Sequence, residues 1–348
     1  MKNIKVAEKY GKPFDNKSLL RAPQWIGAQI HNAKHKAEQF LAKDKYFFTE
    51  CPICGSENIK DFAQIYGFIY KECQECFDVF LQNPLKNLTE LYVNDGKESS
   101  FECYLSDEIF AKRLENIAMP KIAFIDSVVQ NLKNNQNFDF KTWLDIGSGG
   151  GENLYAAKEL GYDIMGFESD KKSLQFSNER LGGEYVRSGF LDITNCDIKL
   201  LEWIARADVI TFFNTLEHLE NPRKVLGFFG DTMKTGSLLI IEVPRHPSLA
   251  SYANVMSPHK VYRHLIPPYH LNIFSERALE KCIMGGGGGY SMVGKWCYGQ
   301  GFMDLIHAFD SFNANHLYES ICAISSEVQA VIDKNNLADF MLVVLQKN

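Results

Sequence analysis

Trp143-Leu144-Asp145-Ile146-Gly147-Ser148-Gly149-Gly150-Gly151 decides the fold of this chain. Strand-favouring residues, Thr142 to Leu144, run into an acid and then a glycine cluster. A helix-like segment from Glu152 to Leu160 follows, then a strand-like run from Tyr162 to Phe167 closed by Glu168. The order is strand, tight turn, helix, strand: one βαβ unit. Glycine lacks a Cβ, so such a turn lets the backbone approach a ligand closely. An acid closing the second strand is placed to accept hydrogen bonds from a ribose diol. The unit reads as a nucleoside-cofactor site.

Spacing and charge narrow the cofactor. A dinucleotide fingerprint, G-x-G-x-x-G, sets a pyrophosphate on a helix N-terminus, but position 152 is Glu152. An anion there suits the helix dipole and repels phosphate. Asp145 adds a second negative charge, which favours a cationic sulfonium ligand. Asp145, Gly147, Gly149 and Gly151 match the pattern D-x-G-x-G-x-G. On these residues the chain resembles the class I S-adenosylmethionine (SAM)-dependent methyltransferases. The resemblance implies SAM as cofactor, held around Asp145, Gly147, Ser148, Gly149 and Glu168.

Bulk properties fit an enzyme of one large and one small domain. The 348 residues are 45% hydrophobic, enough for a sizeable core. A net charge of −6 argues against broad capture of nucleic acid. The polar start MKNIKVAEKYGK is not a signal peptide, and no apolar run is long enough to span a membrane. Nine cysteines, an odd number, suit a reducing cytoplasm better than a disulfide framework.

Four of those cysteines carry metal-like spacing. Cys51-Pro52-Ile53-Cys54 and Cys73-Gln74-Glu75-Cys76 form two C-x-x-C knuckles around strand-like runs in Ile59 to Lys71. Two knuckles complete a tetrahedral four-thiolate zinc site with no open position, so its role is structural. Free or redox cysteines are the alternative. Cys103, Cys196, Cys282, Cys297 and Cys322 are scattered singly. Upstream, residues 14–45 carry a helix-like pattern, with His31 and His35 one turn apart on a polar face. Phe77 to Pro84 reads as a strand ended by proline, and Leu88 to Tyr92 as a short helix. The arrangement resembles a subgroup of class I methyltransferases with a small zinc domain before the catalytic one, sugar C-methyltransferases among them.

Alternation continues beyond Glu168. We expect a helix capped by Ser169, a short strand at Glu184 to Arg187, and a central strand at Ala207 to Phe213. A fifth strand follows at Gly236 to Pro244, a sixth at Ser291 to Tyr298, and a last at Phe340 to Leu345. The resemblance implies that the last strand inserts antiparallel beside the sixth. It also implies an adenine-holding acid near Asp192, with Phe190 as a cover for the ring. The five glycines Gly285 to Gly289 stand where a helix passes to a strand, as slack or an edit.

Leu216-Glu217-His218 after the central strand matches an "LEH" segment of small-molecule methyltransferases, with Asn214 and Leu216 at the cofactor's methionine end. His218 stands where a general base would take a proton from the acceptor. His270, in Tyr269-His270-Leu271-Asn272-Ile273-Phe274-Ser275, matches an "H-x-x-x-F-S" segment that opens the next helix. Some O-methyltransferases of quinone synthesis and small-RNA methylation use an acid-and-histidine cluster here to hold a divalent ion. Glu217, His218 and His270 raise that idea here, but Asn214 stands where the RNA enzymes have a second glutamate, which weakens metal catalysis and leaves surface or substrate contacts as the cheaper role for the histidines.

The expected fold is α/β: an N-terminal helical segment (1–48), a four-cysteine zinc-ribbon-like domain (49–104) and a Rossmann-like methyltransferase domain (105–348) with a seven-stranded, mostly parallel sheet. The expected activity is methyl transfer from SAM to a small polar acceptor, first a hydroxyl of a sugar, nucleotide-sugar or glycan. C-methylation of a keto-sugar and RNA modification are the alternatives. Acidic residues Glu50, Glu57, Asp61, Glu72, Glu75 and Asp78 crowd the ribbon and disfavour RNA.

Overall fold

The computed structural model describes residues 6–12, 23–93, 102–136, 138–309 and 316–348. Its strands are β1 (Ala7–Tyr10), β2 (Ile59–Ile65), β3 (Phe68–Cys73), β4 (Val79–Leu81), β5 (Thr142–Ile146), β6 (Asp163–Glu168) and β7 (Val186–Ser188). They continue with β8 (Val209–Phe213), β9 (Leu238–Pro244), β10 (Asn272–Ile273), β11 (Tyr290–Tyr298) and β12 (Phe340–Lys347).

Eight of these form one sheet in the order β1-β11-β12-β9-β8-β5-β6-β7. The run from β9 to β7 is parallel, whereas β12 lies antiparallel between β9 and β11. The insertion of the last strand is as expected. The strand count is not: the sheet holds eight strands rather than seven, because β1 pairs parallel with β11. Ala7-Glu8-Lys9-Tyr10 is short and half charged, which suits a protected edge and leaves little local strand signal.

Strands β8 and β9 are buried at every position, as central parallel strands covered on both faces should be. One face packs on Ile122, Ile125, Val129 and Leu132 of the helix Met119–Gln136 and on Leu154 and Ala157 of the helix Glu152–Glu159. The other packs on the helices Ile198–Arg206, Pro222–Thr232 and Glu276–Gly285. Helix starts follow local chemistry: Asn221 caps the second of these, with Pro222 in its first turn, and Ser275 caps the third. After β6 the cap is Asp170 rather than Ser169, its carboxylate accepting from Ser173 N at 2.8 Å.

The glycine run is ordered contact rather than slack. A Cβ on Gly227 would lie 2.3 Å from the Gly286 carbonyl oxygen, and one on Gly230 would lie 2.2 Å from Gly288 Cα. Backbone therefore packs on backbone there. The N-terminal helix spans Pro23–Phe40; the earlier part of its expected range, 14–22, lies outside the described residues.

The second sheet runs β10-β4-β3-β2. Strands β2 to β4 belong to the cysteine ribbon, but β10 comes from the segment after His270. Cys51, Ile53, Cys73, Cys76 and Phe80 share one core with the helix-covered face of the large sheet. Among the described residues no helix is long and apolar enough to cross a membrane.

Candidate active site

A cavity of about 440 Å³ opens over the carboxyl ends of β5, β8 and β9. In open parallel sheets ligands bind at this edge, where the strand order reverses. The glycine turn forms one end. Gly147, Gly149 and Gly151 take φ of +71°, +55° and +87°, the left-handed region that glycine enters without strain. Gly147 has a further reason, since a Cβ there would lie 2.6 Å from Thr215 Oγ1. Gly147, Ser148, Gly149 and Glu168 all line the cavity.

Glu168 is tied to the turn. Its Oε2 accepts from Gly149 N at 2.8 Å, and its Oε1 accepts from Asp170 N at 2.8 Å. Burial raises its pKa, and these backbone N–H groups pull it back. Ser148 Oγ is buried with no hydrogen-bond partner. An unsatisfied polar atom at the mouth of a glycine turn is a place for a ligand's polar group.

Three expected cofactor residues sit elsewhere. Asp145 is 1% exposed beneath the turn, accepting from Thr211 Oγ1 at 2.6 Å. It does not line the cavity, and burial pushes its pKa up to about 7, so it presents no firm negative charge to a ligand. Leu216 is fully buried in the hydrophobic core. Asp192 folds back on its own turn, accepting from Thr194 N at 2.9 Å and Thr194 Oγ1 at 2.7 Å, while Phe190 and Leu191 line the cavity. Asn214 does line it, at φ +50°, with its amide donating to Glu242 Oε1 at 3.2 Å.

Other lining residues escaped the sequence reading. Arg113 Nε lies 2.6 Å from Glu152 Oε1, with its guanidinium over the Tyr104 ring at 4.9 Å. Lys121 forms a buried ion pair with Glu242, whose Oε1 also accepts from Tyr298 OH at 2.6 Å. Burial opposes the charge on Glu242, yet Lys121 and Tyr298 hold its pKa below the usual range. These pairs join positions 39, 121 and 56 residues apart, so no local motif announces them.

At the other end of the cavity Glu217, His218 and His270 come together, one ligand-type atom from each within 4.8 Å of the others. Both Glu217 carboxylate oxygens are buried without a hydrogen-bond partner, with His218 Nε2 4.0 Å from Oε1, and burial raises the Glu217 pKa well above the ordinary value. His218 Nδ1 lies 2.9 Å from the Tyr269 carbonyl and 3.0 Å from Tyr92 OH. His270 Nδ1 lies 2.5 Å from the His264 carbonyl. A carbonyl only accepts, so Nδ1 carries the proton on both rings and Nε2 keeps its lone pair. Burial lowers both histidine pKa values, that of His218 to about 4. One carboxylate and two imidazoles fixed through the far nitrogen form a donor set that fits a divalent ion.

The four ribbon thiols are also gathered. Cys51 Sγ and Cys76 Sγ are 3.5 Å apart, Cys54 Sγ and Cys73 Sγ 3.6 Å. Thiolates on a tetrahedral zinc at ~2.3 Å stand about 3.8 Å from one another, so the set fits that ion closely. Glu75 N and Cys76 N donate to Cys73 Sγ at 3.4 and 3.5 Å.

Residues 119–287 match the family model of a methyltransferase domain, over the glycine turn, Glu168 and the Leu216-Glu217-His218 segment. This part of the chain is a class I methyltransferase domain. A curated relative of the methyltransferase domain is the mitochondrial ubiquinone biosynthesis O-methyltransferase of Schizosaccharomyces pombe, 22% identical over 139 residues. That match covers 40% of this chain, and the chain spans about half the length of the relative, 51%. Among solved structures, a SAM-dependent methyltransferase of Archaeoglobus fulgidus is 19% identical with a TM-score of 0.40, over 64% of this chain and 94% of that one. A possible histamine N-methyltransferase of Thermotoga maritima is 16% identical with a TM-score of 0.41, over 71% and 99%.

Proposed function

We propose that this protein transfers a methyl group from SAM to a small polar acceptor. One observation carries the reading: a single cavity joins the Gly147–Gly151 turn and Glu168 to the Glu217/His218/His270 cluster. Glu168 takes the ribose hydroxyls, Gly147, Ser148 and Gly149 give close backbone approach, and Phe190 covers the adenine. Asn214 and Arg113 face the amino-acid end, with the guanidinium suited to the carboxylate. Asp145 and Leu216 act beneath the turn by supporting it. SAM brings the reactive sulfonium, and the chain's task is to align the acceptor and hold or move its proton.

The acceptor we favour is a hydroxyl of a sugar, nucleotide-sugar or glycan, because the polar residues Tyr262, Arg263 and Tyr269 are among those that line the cavity. C-methylation of a keto-sugar would use the same histidines on an acidic carbon. The fission-yeast relative's name points to a third option, an aromatic hydroxyl. An acceptor screen covering sugars and phenols, read by S-adenosylhomocysteine release, tests the set; release with no acceptor of these classes would overturn it.

A second reading concerns the proton. A histidine with a pKa of about 4 is always free to accept but drives transfer weakly. The unpartnered Glu217 carboxylate beside two lone pairs favours a divalent ion held by Glu217, His218 and His270. Such an ion, when bound, makes an acceptor hydroxyl more acidic. His218 then keeps its lone pair for coordination, and His270 and Glu217 complete the set.

A further inference from the structure

The ribbon's fourth strand is borrowed. Asn272–Ile273 pairs antiparallel with β4 in the register Asn272↔Phe80 and Ile273↔Val79, directly after His270. A main-chain path then runs inward: Leu81 N donates to Leu271 O at 2.9 Å, and Leu271 N donates to Glu217 O at 2.9 Å. Side chains add two more ties. Tyr70 OH donates to the His270 carbonyl at 3.1 Å, and Tyr92 OH donates to the Tyr269 carbonyl at 3.1 Å beside His218 Nδ1.

The contacts made by Tyr70 and Leu81 share an origin. Tyr70 and Leu81 are a cross-strand pair of β3 and β4, and the Cys73–Cys76 knuckle is the turn that joins those strands. Whatever fixes that turn fixes the pair, and the pair grips two successive residues, His270 and Leu271. The knuckle also reaches the next helix, since Ser275 Oγ donates to the Cys76 carbonyl. A ribbon serving as a separate recognition knob would need none of this.

We propose that the four-cysteine ribbon is a positioning element for the acceptor site, acting through β10, Tyr70 and Tyr92 on Glu217, His218 and His270. The kinetic part rests on the methyl-transfer reading; the structural part does not. Hydrogen exchange on the full chain, zinc-loaded and then stripped with a chelator, tests the structural part. Leu81 and Leu271 amides exchange at least about ten-fold faster after stripping, while β5 and β8 amides keep their protection. Unchanged exchange at Leu271, or equal loss in β5 and β8, overturns the proposal.

In the zinc-loaded chain, Tyr70→Phe and Tyr92→Phe each remove a single hydroxyl. Each lowers kcat for the acceptor about ten-fold, as loss of one positioning hydrogen bond would, with SAM affinity and acceptor KM within about two-fold. A wild-type kcat with only a lowered melting temperature overturns it. Failure of the wild type to bind SAM would instead strike the methyl-transfer reading and leave the exchange result standing.

Discussion

Glu168 and Gly149 are joined by a 2.8 Å hydrogen bond from the glycine N–H to carboxylate Oε2, which locks the end of β6 to the crest of the glycine turn. The acid therefore shapes the turn as well as facing the cavity. Glu168→Ala removes both roles, and SAM affinity should fall by about 1–3 kcal/mol, measured by calorimetry. Glu168→Gln should lose less, since its amide oxygen still accepts from Gly149. Equal affinity in all three proteins would remove Glu168 from the donor site.

Gly147→Ala tests the turn itself. The new Cβ would meet Thr215 Oγ1 at 2.6 Å on a backbone with φ +71°. Strain of this kind costs roughly 1–3 kcal/mol. We expect a lower melting temperature and weaker SAM binding together, read by thermal denaturation with and without SAM. Gly161→Ala, also at positive φ but with open space around its Cβ, should lower stability without touching SAM affinity.

Much of this was legible because it is local. The strand–glycine–helix order around Trp143 to Glu168 falls within a single βαβ unit, and both cysteine knuckles are four-residue turns. Leu216-Glu217-His218 and the His270 segment are each short motifs, although nothing in the sequence shows that they meet. What stayed hidden is long-range or depends on direction. β1 gains its strand only by pairing with β11, nearly the whole chain away. Arg113 and Lys121 become site residues through Glu152 and Glu242. Asp145, Asp192 and Leu216 were placed near the cofactor by sequence position, but their side chains turn into the sheet, the local turn and the core.

Asp145 gives a pH signature. Its folded pKa is raised from 3.8 to about 7 by burial. The folded state thus binds its proton more tightly than the unfolded chain. Its favourable contribution is complete below about pH 4 and is lost as pH rises toward 7. Asp145→Asn keeps an acceptor for Thr211 and removes the titration. The variant should gain on the wild type in melting temperature from pH 4 to pH 8, measured without ligand. A difference independent of pH would show that Asp145 does not titrate in this range.

His218 and Glu217 separate the two readings of proton chemistry. His218→Ala and Glu217→Gln should both cut turnover, by roughly 10²-fold or more, with SAM affinity nearly unchanged. If a divalent ion is held there, a mild chelator too weak to strip a four-thiolate site abolishes turnover, and added Mg2+ or Mn2+ restores it. Chelator-insensitive turnover that follows a single ionisation near pH 4 assigns His218 as the base alone.

Metal content gives a separate check on the ribbon. Elemental analysis of the purified chain should find one zinc, and Cys73→Ser with Cys76→Ser should abolish it. A full complement of zinc in that double variant would place the ion elsewhere.

Equilibrium titration of the wild-type protein with SAM and with NAD decides the identity of the donor site. One SAM should bind per chain, displaced by S-adenosylhomocysteine, with no measurable NAD binding at the same concentrations. Binding of NAD in place of SAM, or of neither, would contradict a SAM site.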